Sequence, residues 1–195
     1  GNSDREMREN NDAKERFIIG LLKAADERLT KRLQPTVRQQ LAWYITLRGW
    51  YSGRALLVKD EDGETYVDIQ PWDTMHTYWG EGKNGLAWAC YKTKKTPSEI
   101  KAIYDVNVSG EGDDPNDDDA VDVFDFYDRE DNIVCTEEMI LKKRTTHGSD
   151  EVPVFIGPVG ATPMVQSVTD TGNLDTMEDY GESCYKASRD LFEKH

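Results

Sequence analysis

Turn-forming residues recur so often through the middle of this chain that no long helix fits between residues 53 and 160. Arg54 to Lys59 and Glu64 to Gln70 flank Asp60-Glu61-Asp62-Gly63, a hairpin signal. Pro71-Trp72-Asp73 breaks that run. Thr74 to Trp79 and Leu86 to Lys92 flank a second hairpin, turned at Asn84-Gly85. Thr96-Pro97-Ser98-Glu99 then combines a cap, a first-turn proline and a capping-box glutamate, which predicts a short helix to about Tyr104. Strands resume at Val121 to Tyr127, turn at 128–132, and continue at Ile133 to Cys135 and about Glu138 to Lys143. Val152 to Ile156 reads as one more strand, at an edge because of Pro153.

The N-terminal part has a different period. Phe17, Leu21, Leu22, Ala25 and Leu29 recur at helical spacing within residues 4–33. Pro35 restarts the chain at a first-turn position, and a second helix carries Val37, Leu41, Tyr44, Ile45 and Arg48 to a stop at Gly49. Towards the C-terminus, residues 157–180 are rich in Gly, Pro, Thr and Asp and read as a long arm, and a helix starts at Ser183 with Tyr185, Arg189 and Phe192 on one side. The expected class is α+β. The expected domains are a helical segment 1–52, a β-rich wing-like domain 53–160 with an exposed, mobile acidic loop at 107–120, an extended arm 161–180, and a helix starting in 181–195. The chain opens without Met at Gly1-Asn2-Ser3 and stops at His195 inside the last helix, which reads as a piece of a longer protein.

Charge narrows the function. The net charge is -14 and the longest basic cluster, Lys142-Lys143-Arg144, is short. A protein that grips duplex DNA neutralises phosphates with Lys and Arg, so a sequence-reading DNA binder is not expected. A protein that stays near DNA without adhering to it suits an acidic surface. Cys90, Cys135 and Cys184 are odd in number and widely spaced, without a CxxC pair, and read as free thiols. No apolar run reaches the length of a membrane span.

Five features invite a functional reading. Gly80-Glu81-Gly82-Lys83-Asn84-Gly85 matches GxGxxG, but a strand follows it where a phosphate-binding helix is needed, so it reads as a turn. Asp113 to Asp119 lacks the glycine and glutamate of a calcium loop and reads as solvated acid. His147-Gly148-Ser149-Asp150 brings triad residue types together without a nucleophile elbow. The carboxylates Asp68, Asp73, Asp122 and Asp125 read as polar strand positions, with Asp122 and Asp125 on opposite faces. Trp43, Tyr44, Trp50, Trp72, Trp79 and Trp88 read as core rather than as a base-stacking platform, since no basic groove accompanies them. No cofactor and no metal are expected.

An ordered series of segments resembles the portal proteins of tailed bacteriophages. Leu41-Ala42-Trp43-Tyr44-Ile45-Thr46-Leu47-Arg48-Gly49-Trp50-Tyr51-Ser52-Gly53-Arg54 is similar to the stretch where a helix ends in Arg-Gly-Trp and enters the first hairpin. Val67-Asp68-Ile69-Gln70-Pro71-Trp72-Asp73 resembles the strand and turn that follow. The Trp79 to Trp88 hairpin, the helix at Pro97, and Val123-Phe124-Asp125-Phe126-Tyr127-Asp128 continue the order. So do Val152-Pro153-Val154, Gly157-Pro158-Val159-Gly160, and Gly181-Glu182-Ser183 before Arg189-Asp190-Leu191-Phe192. The resemblance covers about residues 17–194, a span shorter than family members.

The resemblance implies a non-enzymatic ring subunit, usually one of about twelve, at one vertex of the capsid. Double-stranded DNA is packaged and ejected through such a ring without sequence-specific binding. Its partners would be the terminase, the capsid or scaffold protein and the head-tail adaptor, with no membrane involved. The protein would be made in the host cytoplasm and reside in the virion. The arm at 161–180 would reach a neighbouring subunit. Candidate assembly residues are Arg48, Gly49, Trp50, Pro71, Trp72, Asp73, Gly181, Glu182, Ser183 and Arg189. The alternatives are a different virion or adaptor protein and, further off, a metal-dependent hydrolase.

Overall fold

A computed structural model describes residues 2–59, 63–108 and 120–159. The expected arm at 161–180, the C-terminal helix with Cys184, most of the acidic loop and the tip of the first hairpin lie outside the described residues. The element order is α1 (Asn2–Lys31), α2 (Val37–Arg48), β1 (Trp50–Lys59), β2 (Thr65–Trp72), a 3-10 turn at Thr74–His76, β3 (Thr77–Gly82), β4 (Gly85–Lys95), α3 (Pro97–Tyr104), β5 (Val121–Tyr127), β6 (Asp131–Cys135), β7 (Ile140–Thr146) and β8 (Val154–Pro158). Helices and antiparallel sheets coexist, so the class is α+β. One sheet has the order β2-β1-β8, and the other is a five-stranded meander, β3-β4-β5-β6-β7. The described chain divides into two compact units, one of residues up to Pro71 together with 156–159, the other Trp72–Phe155.

In the first unit, α1 packs only through its C-terminal third among the described residues. Ala25 and Leu29 meet Val37 and Leu41 of α2 and Ile69 of β2. Thirty residues make a rod of roughly 45 Å, whereas the twelve of α2 reach roughly 18 Å, so α2 cannot cover the rest. The helix ends in a Schellman motif: the Gln34 N–H donates to the Leu29 carbonyl (2.9 Å) and the Leu33 N–H to that of Thr30 (3.0 Å). The left-handed position is filled by Leu33, at φ 59° and 96% exposed, where glycine is usual. Pro35 does not open α2. Thr36 caps it, with its Oγ1 accepting from the Gln39 N–H and the Gln39 side chain accepting from the Thr36 N–H. That reciprocal box outcompetes a first-turn proline as a start signal.

In the second unit, Ile100 of α3 packs on Val123, Val134 and Leu141, one each from β5, β6 and β7. The same face of the meander holds a polar link centred on buried Asn132. The Asn132 amide donates to the Asp125 carboxylate (2.7 Å) and to the Phe126 carbonyl (3.0 Å), and its oxygen accepts from Lys142 Nζ (2.7 Å). Three consecutive strands are thereby fixed in register.

Several expected boundaries shift for physical reasons. β1 starts at Trp50, directly after the helix stop. β2 runs through Pro71 to Trp72 because it is an edge strand, where a missing N–H costs no ladder bond. Residues 74–76 form a 3-10 turn rather than strand, since the Asp73 side chain accepts from the Met75 N–H (3.0 Å) and its carbonyl from His76 (2.9 Å). Trp43 is 64% exposed rather than core, and Trp88 also reaches solvent.

Replacing Leu33 with Gly removes left-handed strain without uncovering a contact. Urea unfolding should show a gain of about 1 kcal/mol. An unchanged or lower midpoint contradicts this account of the α1 terminus.

Candidate functional site

The candidate residues fall at two joints of the fold. The first joins α2 to β1. Arg48 is the last residue of α2, and Gly49 closes it at φ 67° with its N–H donating to the Ile45 carbonyl (3.0 Å). A side chain there is strained, so this glycine is fixed by the turn itself. The Gly49 carbonyl then accepts from the Val159 N–H at 2.7 Å, and Trp50 begins β1 half-buried. Beyond it, the Tyr51 ring lies over Gly157 of β8, where a Cβ would come within 2.6 Å of the phenol oxygen. The helix stop and the outer strand β8 are thus tied to one another.

The second joint is Pro71-Trp72-Asp73, where the chain enters the meander. Pro71 and Trp72 are buried, Trp72 with no accessible surface. The Trp72 indole stacks flat on Tyr91 (4.9 Å between centroids, 4° between planes) and tilts against Tyr127 at 6.0 Å. Tyr127 in turn meets the His147 ring at 6.2 Å. Asp73 caps the 3-10 turn, and its N–H donates to the Tyr91 hydroxyl (3.4 Å). Burial raises the Tyr91 phenol above its ordinary range, opposed by that hydrogen bond. Gly181, Glu182, Ser183 and Arg189 lie outside the described residues, so the structure brings together only the candidates within each joint.

The groups that invited a catalytic reading are each engaged elsewhere. Asp68 is buried against the Arg54 guanidinium, with Arg32 3.6 Å away. Asp122 pairs with Lys92 at 2.6 Å, and Asp125 accepts from Asn132 and from the Tyr127 hydroxyl (3.3 Å). Asp122 and Asp125 serve opposite faces of β5, as strand alternation requires. His147 Nδ1 accepts from the Ser149 N–H (3.2 Å), which leaves Nε2 protonated and donating to the Asp128 carbonyl (3.0 Å). The Ser149 hydroxyl accepts from the Glu151 N–H at 3.4 Å. The segment is a turn held by its own backbone. Gly80 to Gly85 is the β3–β4 hairpin, and Gly80 is required there because the Trp88 indole covers it, 2.3 Å from where a Cβ would sit. Among the described residues no group of three or more His, Cys, Asp or Glu is placed to hold a metal ion, and no helix is long and apolar enough to cross a membrane.

Sequence reasoning missed two clusters. The Arg28 guanidinium lies over the Tyr66 ring at 3.4 Å, beside the Arg32–Asp68–Arg54 set, and ties the end of α1 to β2. Its sequence signal was the Arg28, Arg32 pair at one-turn spacing. Asp128 closes the β5–β6 turn, accepting from the Glu130 (2.9 Å) and Asp131 (2.7 Å) N–H groups while Arg144 approaches its other oxygen. Those bonds, the Asp131 one foremost, hold its carboxyl below the usual range. The basic cluster at Lys142 to Arg144 lies on the outer strand β7, where charge discourages pairing with another sheet.

No family model matches this chain, and no curated protein matches it significantly.

Two tests follow from these geometries. Burial, with the charge of Asp125 second, pushes the Cys90 thiol up to about 11 from 9.0. In a Cys135→Ser, Cys184→Ser background, alkylation of Cys90 near pH 8 should run roughly a hundredfold slower than that of an unperturbed thiol. A rate like that of free cysteine contradicts the burial. Asp128 has a folded pKa below its unfolded one, so its stabilisation is complete above the ordinary carboxylate range and is lost as pH falls through the folded value. Asp128→Asn should flatten the loss of stability below about pH 4, read from urea midpoints. An acid limb as steep as that of the wild type contradicts the assignment.

Proposed function

We propose that this chain is part of a portal subunit of a tailed bacteriophage, a ring component through which double-stranded DNA passes, with a structural rather than a catalytic role. The observation that carries the reading is the coincidence of the resemblance with the joints of the fold. Arg48-Gly49-Trp50 forms the helix stop and strand entry, and Pro71-Trp72-Asp73 forms the edge-strand end, aromatic anchor and turn cap. Residues that set the path of the chain are those a scaffold of this kind would share across divergent sequences.

Electrostatics supports the same reading. A net charge of -14, repeated around a ring, surrounds DNA with a field that repels phosphate. Duplex DNA would slide through such an opening instead of adhering. The terminase, the capsid or scaffold protein and the head-tail adaptor are the proposed partners, and the virion vertex is the proposed location.

Negative-stain electron microscopy of the protein tests this directly. Closed rings with a central hole at least as wide as duplex DNA, roughly 20 Å, are expected. Particles without a hole overturn the portal reading and leave a different virion or adaptor protein as the next candidate.

A further inference from the structure

The N-terminal two-thirds of α1 carries an apolar belt that the rest of the described chain leaves uncovered. Phe17 is 66% and Ile18 55% exposed, and Ile19 and Leu22 are exposed beside half-buried Leu21. At about 100° per residue, Phe17, Leu21, Ile18, Leu22 and Ile19 sweep an arc of roughly 200°. A helix that packs on one side needs an apolar stripe of only about 100°. The stripe begun by Ala25 and Leu29 continues through Leu22 and Ile18, and Phe17 and Ile19 widen it on either flank. The remaining arc is polar and bears Asp12, Arg16, Lys23 and Glu27.

We propose that the belt is the contact between neighbouring copies of this chain, with α1 helices standing side by side and each belt touching the next copy on both flanks. The inference rests on the ring reading above and names the surface that builds the ring. Three observations favour a second copy as the occupant. An arc twice the one-sided width gives a helix two neighbours, which a row of identical helices supplies equally to all. The polar spine balances two acids against two bases, so adjacent spines do not repel although the whole chain is strongly acidic. The four exposed side chains together present roughly 400 Å² of apolar surface, at the level where a monomer's patch marks an interaction site. That is about half of the roughly 800 Å² that one partner contributes to a standard interface, so the belt is the apolar centre of a larger contact.

The test uses photo-cross-linking and charge insertion in the same chain. A benzophenone amino acid placed at Phe17, and separately at Ile19, is irradiated in a mixture of isotopically heavy and light chains. Cross-linked heavy–light peptides should join either position to residues 17–22 of another copy. Ile18→Glu with Leu22→Glu should keep the wild-type helical signal, because both sites are exposed, and weaken association roughly tenfold or more in velocity sedimentation. Rings whose cross-links avoid the belt, or whose association survives the double substitution, overturn this inference and leave the ring reading standing. A wild-type chain that stays monomeric at its highest soluble concentration overturns both.

Discussion

The stack of Trp72 on Tyr91 is the contact on which the second unit is organised. It fixes Trp72, the first residue of that unit, on β4 of the meander. Burying an indole completely gives the largest apolar contribution available to a single side chain, and the Tyr127 ring beside it extends the effect to β5. The Asn132 link crosses β5, β6 and β7, and Asp128 fixes the turn between the first two. Asn132 is buried with both ends of its amide satisfied, so a slipped register would leave those polar atoms unpaired.

Two rings lying over glycine follow a common logic. Trp88 covers Gly80 and Tyr51 covers Gly157. In each case a strand glycine, which on its own weakens a sheet, becomes the floor for an aromatic ring from the neighbouring strand. Trp88 continues into a stack with Phe126 at 5.8 Å, so the outer face of the meander has an aromatic row where an antiparallel sheet with one solvated face usually carries polar residues.

Much of this architecture was legible in the sequence, because local chemistry decided it. The Thr96 box, the Gly49 stop and the α+β order depend on residues close together in the chain, as does the second hairpin, whose turn falls at Lys83–Asn84, one residue before the expected Asn84-Gly85. What was not legible depended on distant partners. Nothing near Pro71 announces that its strand lies at an edge, and nothing near Trp43 announces that α2 turns that ring to solvent. The Asp73 cap competed with strand propensity over residues 74–76 and won through a side-chain bond that a period-two pattern does not register. Of the candidate assembly residues, Arg48, Gly49, Trp50, Pro71, Trp72 and Asp73 were singled out by the ordered resemblance, and the geometry gives them local roles in the path of the chain. The belt on α1 was visible as periodicity, but its exposure was not, since that depends on how short α2 is.

A structural role in a ring requires that the chain be completed by copies of itself. Native mass spectrometry of the protein over a dilution series measures this most directly. The account predicts a single closed species of about twelve copies, with little in between as it forms from monomer. A chain that remains monomeric or dimeric at every concentration and ionic strength would contradict it.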